Sequence, residues 1–118
     1  MKNILLVFLG GGIGSVFRYL LFLLIPATTF PFATFAVNIL GSFLIGYVSK
    51  YYQTYHPNSY LLLFLATGVC GGFTTFSTFS KEGFMMLQQQ QMVTFLIYTL
   101  ASVLLCLLSV ALGYYMGK

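Results

Sequence analysis

The chain has 118 residues, 59% of them apolar, and only six charged: Lys2, Arg18, Lys50, Lys81, Glu82 and Lys118. Soluble domains carry about a quarter charged residues, so a chain with a mean hydropathy of +0.95 cannot cover its surface with polar groups. A soluble enzyme is excluded, as is a nucleic-acid binder, because five scattered basic residues make no patch, and a disulfide scaffold, because Cys70 and Cys106 stand alone in apolar runs.

Uncharged stretches at 3–17, 19–49, 51–80 and 83–117 provide for about four membrane helices, each needing roughly 20 apolar residues. The expected class is an all-α membrane protein, a single domain over residues 1–118. The first helix should run from about Asn3 to Ile25, ahead of a connection bracketed by Pro26 and Pro31. Lys2 before an apolar run resembles a signal peptide, but the glycines at 10–12 and Arg18 form no convincing cleavage site, so the segment is read as a mature helix. Gly10, Gly14 and Arg18 follow at i+4, a small-residue seam that lets another helix approach closely. An Arg inside a span is costly and marks either function or an anchor on carbonyls.

The second helix is expected from about Phe32 to Tyr52, with Lys50 and tyrosines 47, 51, 52 and 55 suited to an interfacial belt. Thr34, Asn38, Ser42 and Gly46 repeat every four residues as one polar stripe. The hydroxyls can bond back to i−4 carbonyls, whereas the Asn38 amide needs partners and is read as functional. His56 lies in the polar turn 53–59 and is expected to meet solvent or headgroups.

A third span is expected from about Tyr60 to Leu87 with a break near residues 71–75. Adjacent glycines and β-branched threonines weaken a helix there. A break frees backbone groups, which are tolerated in mid-membrane only against protein or water, and freed carbonyls suit a small hard cation. Phe76 and Phe79 then share one face beside the hydroxyls of Ser77, Thr78 and Ser80. Gln88–Gln91 form a turn, and the fourth helix should cover about Met92 to Tyr115, carrying the stripe Tyr98, Ser102, Cys106, Ser109 and Gly113. Converging hydroxyl faces would make a narrow track without fixed charge, suited to a small anion.

Four spans place Lys2, Lys50 and Lys118 on one side, against Lys81, and Arg18 if it snorkels toward Pro26. This positive-inside signal is feeble and leaves insertion in one orientation or in both open.

The chain resembles the Fluc (CrcB) family of fluoride channels along essentially its whole length. The carriers are the run 10–19 from Gly10 to Tyr19, the run 37–43 around Asn38, and the highly specific run 71–80 from Gly71 to Ser80, followed by Glu82. The resemblance implies a four-helix subunit paired with an inverted copy, a dual-topology dimer with two pathways for passive export of cytoplasmic fluoride. It also implies a third helix broken at the dimer centre, where a structural sodium ion is held by backbone carbonyls from both subunits, here those of Gly71 and Thr74. The pathway residues would be Phe76, Phe79, Asn38, Ser77, Thr78, Tyr98, Ser102, Cys106 and Thr34, with Arg18 the first-helix arginine. Cys106 departs from the common serine, and a thiol donates more weakly.

The resemblance implies further that the protein is not an enzyme, has no catalytic residues or organic cofactor, and sits as a multi-pass protein among the lipids of the bacterial plasma membrane. A homodimer is expected, a heterodimer being the alternative; no nucleic acid is involved. Elementary physics agrees with the implied pathway. An aromatic ring has a positive edge, so Phe76 and Phe79 can meet an anion without a formal charge that would hold it too long. The competing function is a small proton-coupled multidrug exporter. That chemistry wants an intramembrane carboxylate, usually on the first helix, and the sole acid, Glu82, falls near the end of the third span. A non-transporting assembly subunit would explain the hydrophobicity but not the polar stripes.

Overall fold

A computed structural model of the protein describes residues 1–117; Lys118, counted in the charge balance above, lies outside the described residues. Four spans are long and apolar enough to cross a membrane. They are α1 (Lys2–Leu24), α2 (Phe32–Tyr55), a third span made of α3 (residues 59–73) and α4 (Phe76–Gln88), and α5 (Met92–Met116).

The connections follow from local chemistry. α1 stops at Ile25, which is extended at φ −94°, ψ 118° because Pro26 follows it. α2 runs to Tyr55, three residues beyond the expected end, and closes on His56 in the left-handed region at φ 48°. Pro57 then prevents the helix from resuming. His56 thus serves a local role as an exposed C-terminal cap. Asn58 starts the third span by accepting the Tyr60 N–H at 2.8 Å. Lys2 lies over the Tyr60 ring at 4.1 Å and Lys50 over the Tyr114 ring at 5.0 Å, so the two lysines share one end of the bundle with its tyrosine belt.

The helices pack as two close pairs, α1 with α3 and α2 with α5. Glycine makes both approaches. A methyl carbon on Gly68 would lie 2.9 Å from the Gly10 Cα, and one on Gly14 or Gly72 would collide with the carbonyl of Val69 or Gly11. In the second pair Gly46 and Gly113 meet the backbone of the facing helix in the same way. In lipid, where association relies on packing rather than on expulsion of water, such backbone contact holds helices together. The fully buried side chains include Thr34, Val37 and Tyr98, whereas leucines such as Leu24 and Leu107 are exposed to lipid.

The third span differs in detail from a plain helix with a glycine kink. Residues Leu63–Cys70 form a π section, in which the Gly71 N–H reaches back to the Ala66 carbonyl. Gly71 itself is helical at φ −63°, ψ −38°. The chain leaves the helix at Thr74 (φ −80°, ψ 157°) and Thr75 (φ −149°, ψ 120°), near the middle of the span. Gly68 and Gly72 therefore serve approach to α1, while the β-branched threonines, at home in extended backbone, carry the break.

Gly12 provides an internal control, since nothing lies within 4 Å of a methyl group placed there. We expect Gly12→Ala to stabilise the protein in mixed micelles by up to about 1 kcal/mol through helix propensity, and Gly14→Ala to destabilise by about 1–3 kcal/mol, the usual cost of overpacking. Denaturant titration followed by circular dichroism measures both.

Candidate functional site

The centre of the site is the break and what satisfies it. The Asn38 Oδ1 accepts the Thr75 N–H at 2.9 Å, and its Nδ2 donates to the Thr75 carbonyl at 3.2 Å. The amide orientation is fixed by chemistry, because an N–H must face an oxygen and a carbonyl must face the NH₂. Thr75 is buried and caps α4: its Oγ1 accepts the Thr78 N–H at 3.2 Å and also lies within 3.3 Å of the Ser77 and Thr78 hydroxyls. The Thr74 hydroxyl bonds back to the Cys70 carbonyl at 2.9 Å.

Two side chains of α1 reach the same region. Arg18 does not snorkel toward Pro26; its Nη1 points to the Thr74 carbonyl at 3.4 Å, and the Ser15 hydroxyl faces the Gly72 carbonyl at 3.5 Å. A guanidinium in mid-bundle thereby meets a peptide dipole, a partner suited to a cation in a low-dielectric setting.

Beside the break runs a groove of about 370 Å³, whose walls include Asn38 and Ser42 of α2, Gly71 of α3, Thr74 of the break, Phe76 and Phe79 of α4, and Ser102 and Cys106 of α5. Among the described residues, no charged side chain lines it. The Phe76 and Phe79 ring centroids are 5.6 Å apart, and Phe76 is 77% exposed on a single copy of the chain. The Ser102 hydroxyl is buried without a hydrogen-bond partner. Leaving such a group unsatisfied costs about 1–3 kcal/mol, which an acceptor arriving in the groove would offset.

The remaining expected residues gather elsewhere. Thr34 and Tyr98 are turned not toward the groove but toward Glu82, donating to its two carboxylate oxygens at 3.0 and 2.9 Å. Phe79 joins the two regions, its ring centroid lying 5.0 Å from that of Tyr98. Glu82 also lines a smaller cavity of about 250 Å³, shared with Thr28, Pro31, Gln89 and Gln91 at the end of the bundle opposite His56. Ser77 and Thr78 sit at the start of α4 beside the Thr75 cap, with Ser77 exposed. The two free cysteines, Cys70 and Cys106, both line the groove.

Sequence reasoning passed over Glu82 and Thr75 as site residues. Glu82 had a usable signal: the only acid in a chain this apolar is a functional candidate by cost alone. Thr75 had none, since nothing in Thr74-Thr75 says which of the two turns inward.

These features define a small multi-pass membrane protein with a broken span and an uncharged polar groove. The family model described as "CrcB-like protein, Camphor Resistance (CrcB)" matches residues 5–114, so the chain belongs to the CrcB family. Among its relatives is a Phocaeicola vulgatus protein named "Fluoride-specific ion channel FluC", 49% identical with all of both chains covered. Relatives of the same name from Flavobacterium psychrophilum and Bacteroides fragilis are 46% and 44% identical, each over the whole of this chain and 98% of their own.

The Glu82 cluster yields a direct test. Hydrogen bonds to a charged group contribute about 1.5–3 kcal/mol, so Thr34→Val and Tyr98→Phe should each destabilise the protein by roughly that amount. Because the two donors share one acceptor, the double variant should lose measurably less or more than the sum, read by equilibrium unfolding of all four proteins.

Proposed function

We propose that this chain forms a fluoride-selective channel that lets fluoride leave the cytoplasm passively, with transport rather than catalysis as its activity. The observation that carries the reading is the unpartnered, buried Ser102 hydroxyl on the wall of a groove that has ring rims, an amide and hydroxyls but no formal charge. Fluoride is a small, strongly hydrated anion, and a series of neutral donors replaces its water stepwise without trapping it. The names of the relatives support the choice of ion.

The pathway runs from the Glu82 cavity past Tyr98 and Phe79 to the groove. In the arrangement described, the single Tyr98 proton is committed to Glu82, which leaves Ser102, Asn38, Ser77, Thr78 and the weaker Cys106 thiol as donors within or beside the groove. Phe76 and Phe79 offer ring edges, positive by virtue of the quadrupole. Glu82 does not suit proton-coupled drug export, because both of its oxygens are engaged by hydroxyls beside an end cavity rather than aimed into the groove.

A second copy of the chain, inserted upside down, completes the channel. The support is physical: the break exposes peptide groups in mid-membrane, where protein or water must cover them, and Phe76 projects from the single copy. The residues present fit a structural sodium ion at that junction. Gly71 and Thr74 both line the groove, and their carbonyls would be an all-oxygen set of the kind hard cations take. One copy offers two such carbonyls and two copies offer four. The sodium would supply positive potential and join the two broken spans; Arg18, at the Thr74 carbonyl, adds fixed positive charge.

Purified protein in liposomes should release fluoride electrogenically and retain chloride, as followed with ion-selective electrodes; absence of fluoride release, or equal chloride release, rejects the reading. Phe76→Ile should lower fluoride flux at least tenfold while cross-linking still traps the dimer. Preparation in N-methylglucamine instead of sodium should loosen the dimer, as read by size-exclusion chromatography.

A further inference from the structure

We infer that Asn38 and Thr75 are positioning residues that manufacture the cation-binding carbonyls, each by capturing an N–H that would otherwise close a helical bond. The inference rests on the reading of Gly71 and Thr74 as sodium ligands and gives that site its origin.

In an uninterrupted α-helix every N–H bonds the carbonyl four residues earlier. The Thr75 N–H would therefore take the Gly71 carbonyl, and the Thr78 N–H would take the Thr74 carbonyl. Neither bond is made. The Thr75 N–H goes to the Asn38 Oδ1 at 2.9 Å, and the Thr78 N–H goes to the Thr75 Oγ1 at 3.2 Å. Two diverted donors thus leave two carbonyls without their helical bonds, and they belong to Gly71 and Thr74, both of which line the groove and are the residues that the sodium reading requires. Of the other carbonyls of the break, Cys70 is taken by Thr74, Gly72 by Ser15 and Thr75 by Asn38, while the Thr74 carbonyl receives the Arg18 Nη1 at 3.4 Å on one lone pair and keeps the second for a cation. The side chains that take the donors are held in place, since Thr75 is 6% exposed and Asn38 is bonded at both of its polar ends.

The mechanism assigns the decoy role to an oxygen acceptor at each position rather than to side-chain bulk. Thr75→Ser keeps the Oγ and Thr75→Val removes it at nearly constant shape. At position 38, Asp keeps an acceptor for the Thr75 N–H, and in its neutral form a donor for the carbonyl, whereas Leu keeps the shape and loses both. Two measurements on the purified, detergent-solubilised protein separate the roles. One is the sodium concentration that half-restores thermal stability after exchange into N-methylglucamine. The other is hydrogen–deuterium exchange at the Thr75 and Thr78 amides.

T75V and N38L should raise the half-saturating sodium concentration at least tenfold, and T75S and N38D should stay within threefold of the unaltered protein. In the unaltered protein the Thr75 and Thr78 amides should exchange at least tenfold more slowly than those of Phe76 and Ser77, and N38L should abolish that protection at Thr75. Equal sodium midpoints for T75V and T75S, with equal midpoints for N38L and N38D, overturn the inference while leaving sodium binding intact. No sodium effect on the unaltered protein rejects the sodium reading itself. The capture of the two N–H groups then stands or falls on the exchange data. Should the apolar variants fail to fold, fast exchange at Thr75 in the unaltered protein still overturns the inference and slow exchange there supports it.

Discussion

In hydrocarbon a peptide group has no water to fall back on, and this fold is organised around one place where the regular helical solution is given up. At Thr74 and Thr75 the third span turns extended in mid-membrane, where each unsatisfied polar group would cost several kcal/mol. The rest of the bundle supplies what the helix no longer does. α2 contributes both ends of the Asn38 amide, α1 contributes Ser15 and Arg18, and α4 begins with its own threonine cap. Two neighbouring helices and the span's own second half are thus committed to holding one irregular turn.

That commitment shapes the architecture. α1 can deliver Arg18 to the Thr74 carbonyl only because Gly10, Gly14, Gly68 and Gly72 let it lie against α3 with backbones in contact. α2 can deliver Asn38 because Gly41 leaves room for the Thr74 and Phe73 side chains above it. Gly46 and Gly113 set the depth at which α5 meets α2 and so bring Ser102 and Cys106 to the groove wall. In a soluble protein an apolar core would do this positioning; here the exterior is the apolar part and the interior carries the polar groups.

The resulting chemistry is that of partial charges. Ring edges, hydroxyls and an amide face the groove, while the two formal charges of the region are held back from it. Glu82 is occupied by Thr34 and Tyr98, and Arg18 by a carbonyl. An ion meeting only dipoles is bound weakly at several places in succession, which is the condition for rapid passage. A bound cation at the junction of two copies would tilt the potential toward anions without standing in their path.

Much of this was legible in 118 residues, because lipid imposes strong and simple rules. Long uncharged runs, prolines at 26 and 31 and the turns around His56 and Gln90 point to four spans, with α2 running three residues longer than expected, since length and backbone satisfaction leave few alternatives. The motif Gly71 to Ser80 likewise announces an irregular third span. What one dimension could not decide is which groups face each other across helices. The i+4 stripe on α2 reads as a single polar face, yet Thr34 turns to a carboxylate 48 positions away and Asn38 to a backbone 37 positions away. The glycines read as breakers and are helical instead, because whether a missing side chain loosens a helix or admits a neighbour depends on the presence of that neighbour. Periodicity determined which residues share a face; only the packing of α1, α2 and α5 around the break decided what each face touches, because a hydrogen bond is set by distance in space and not by spacing along the chain.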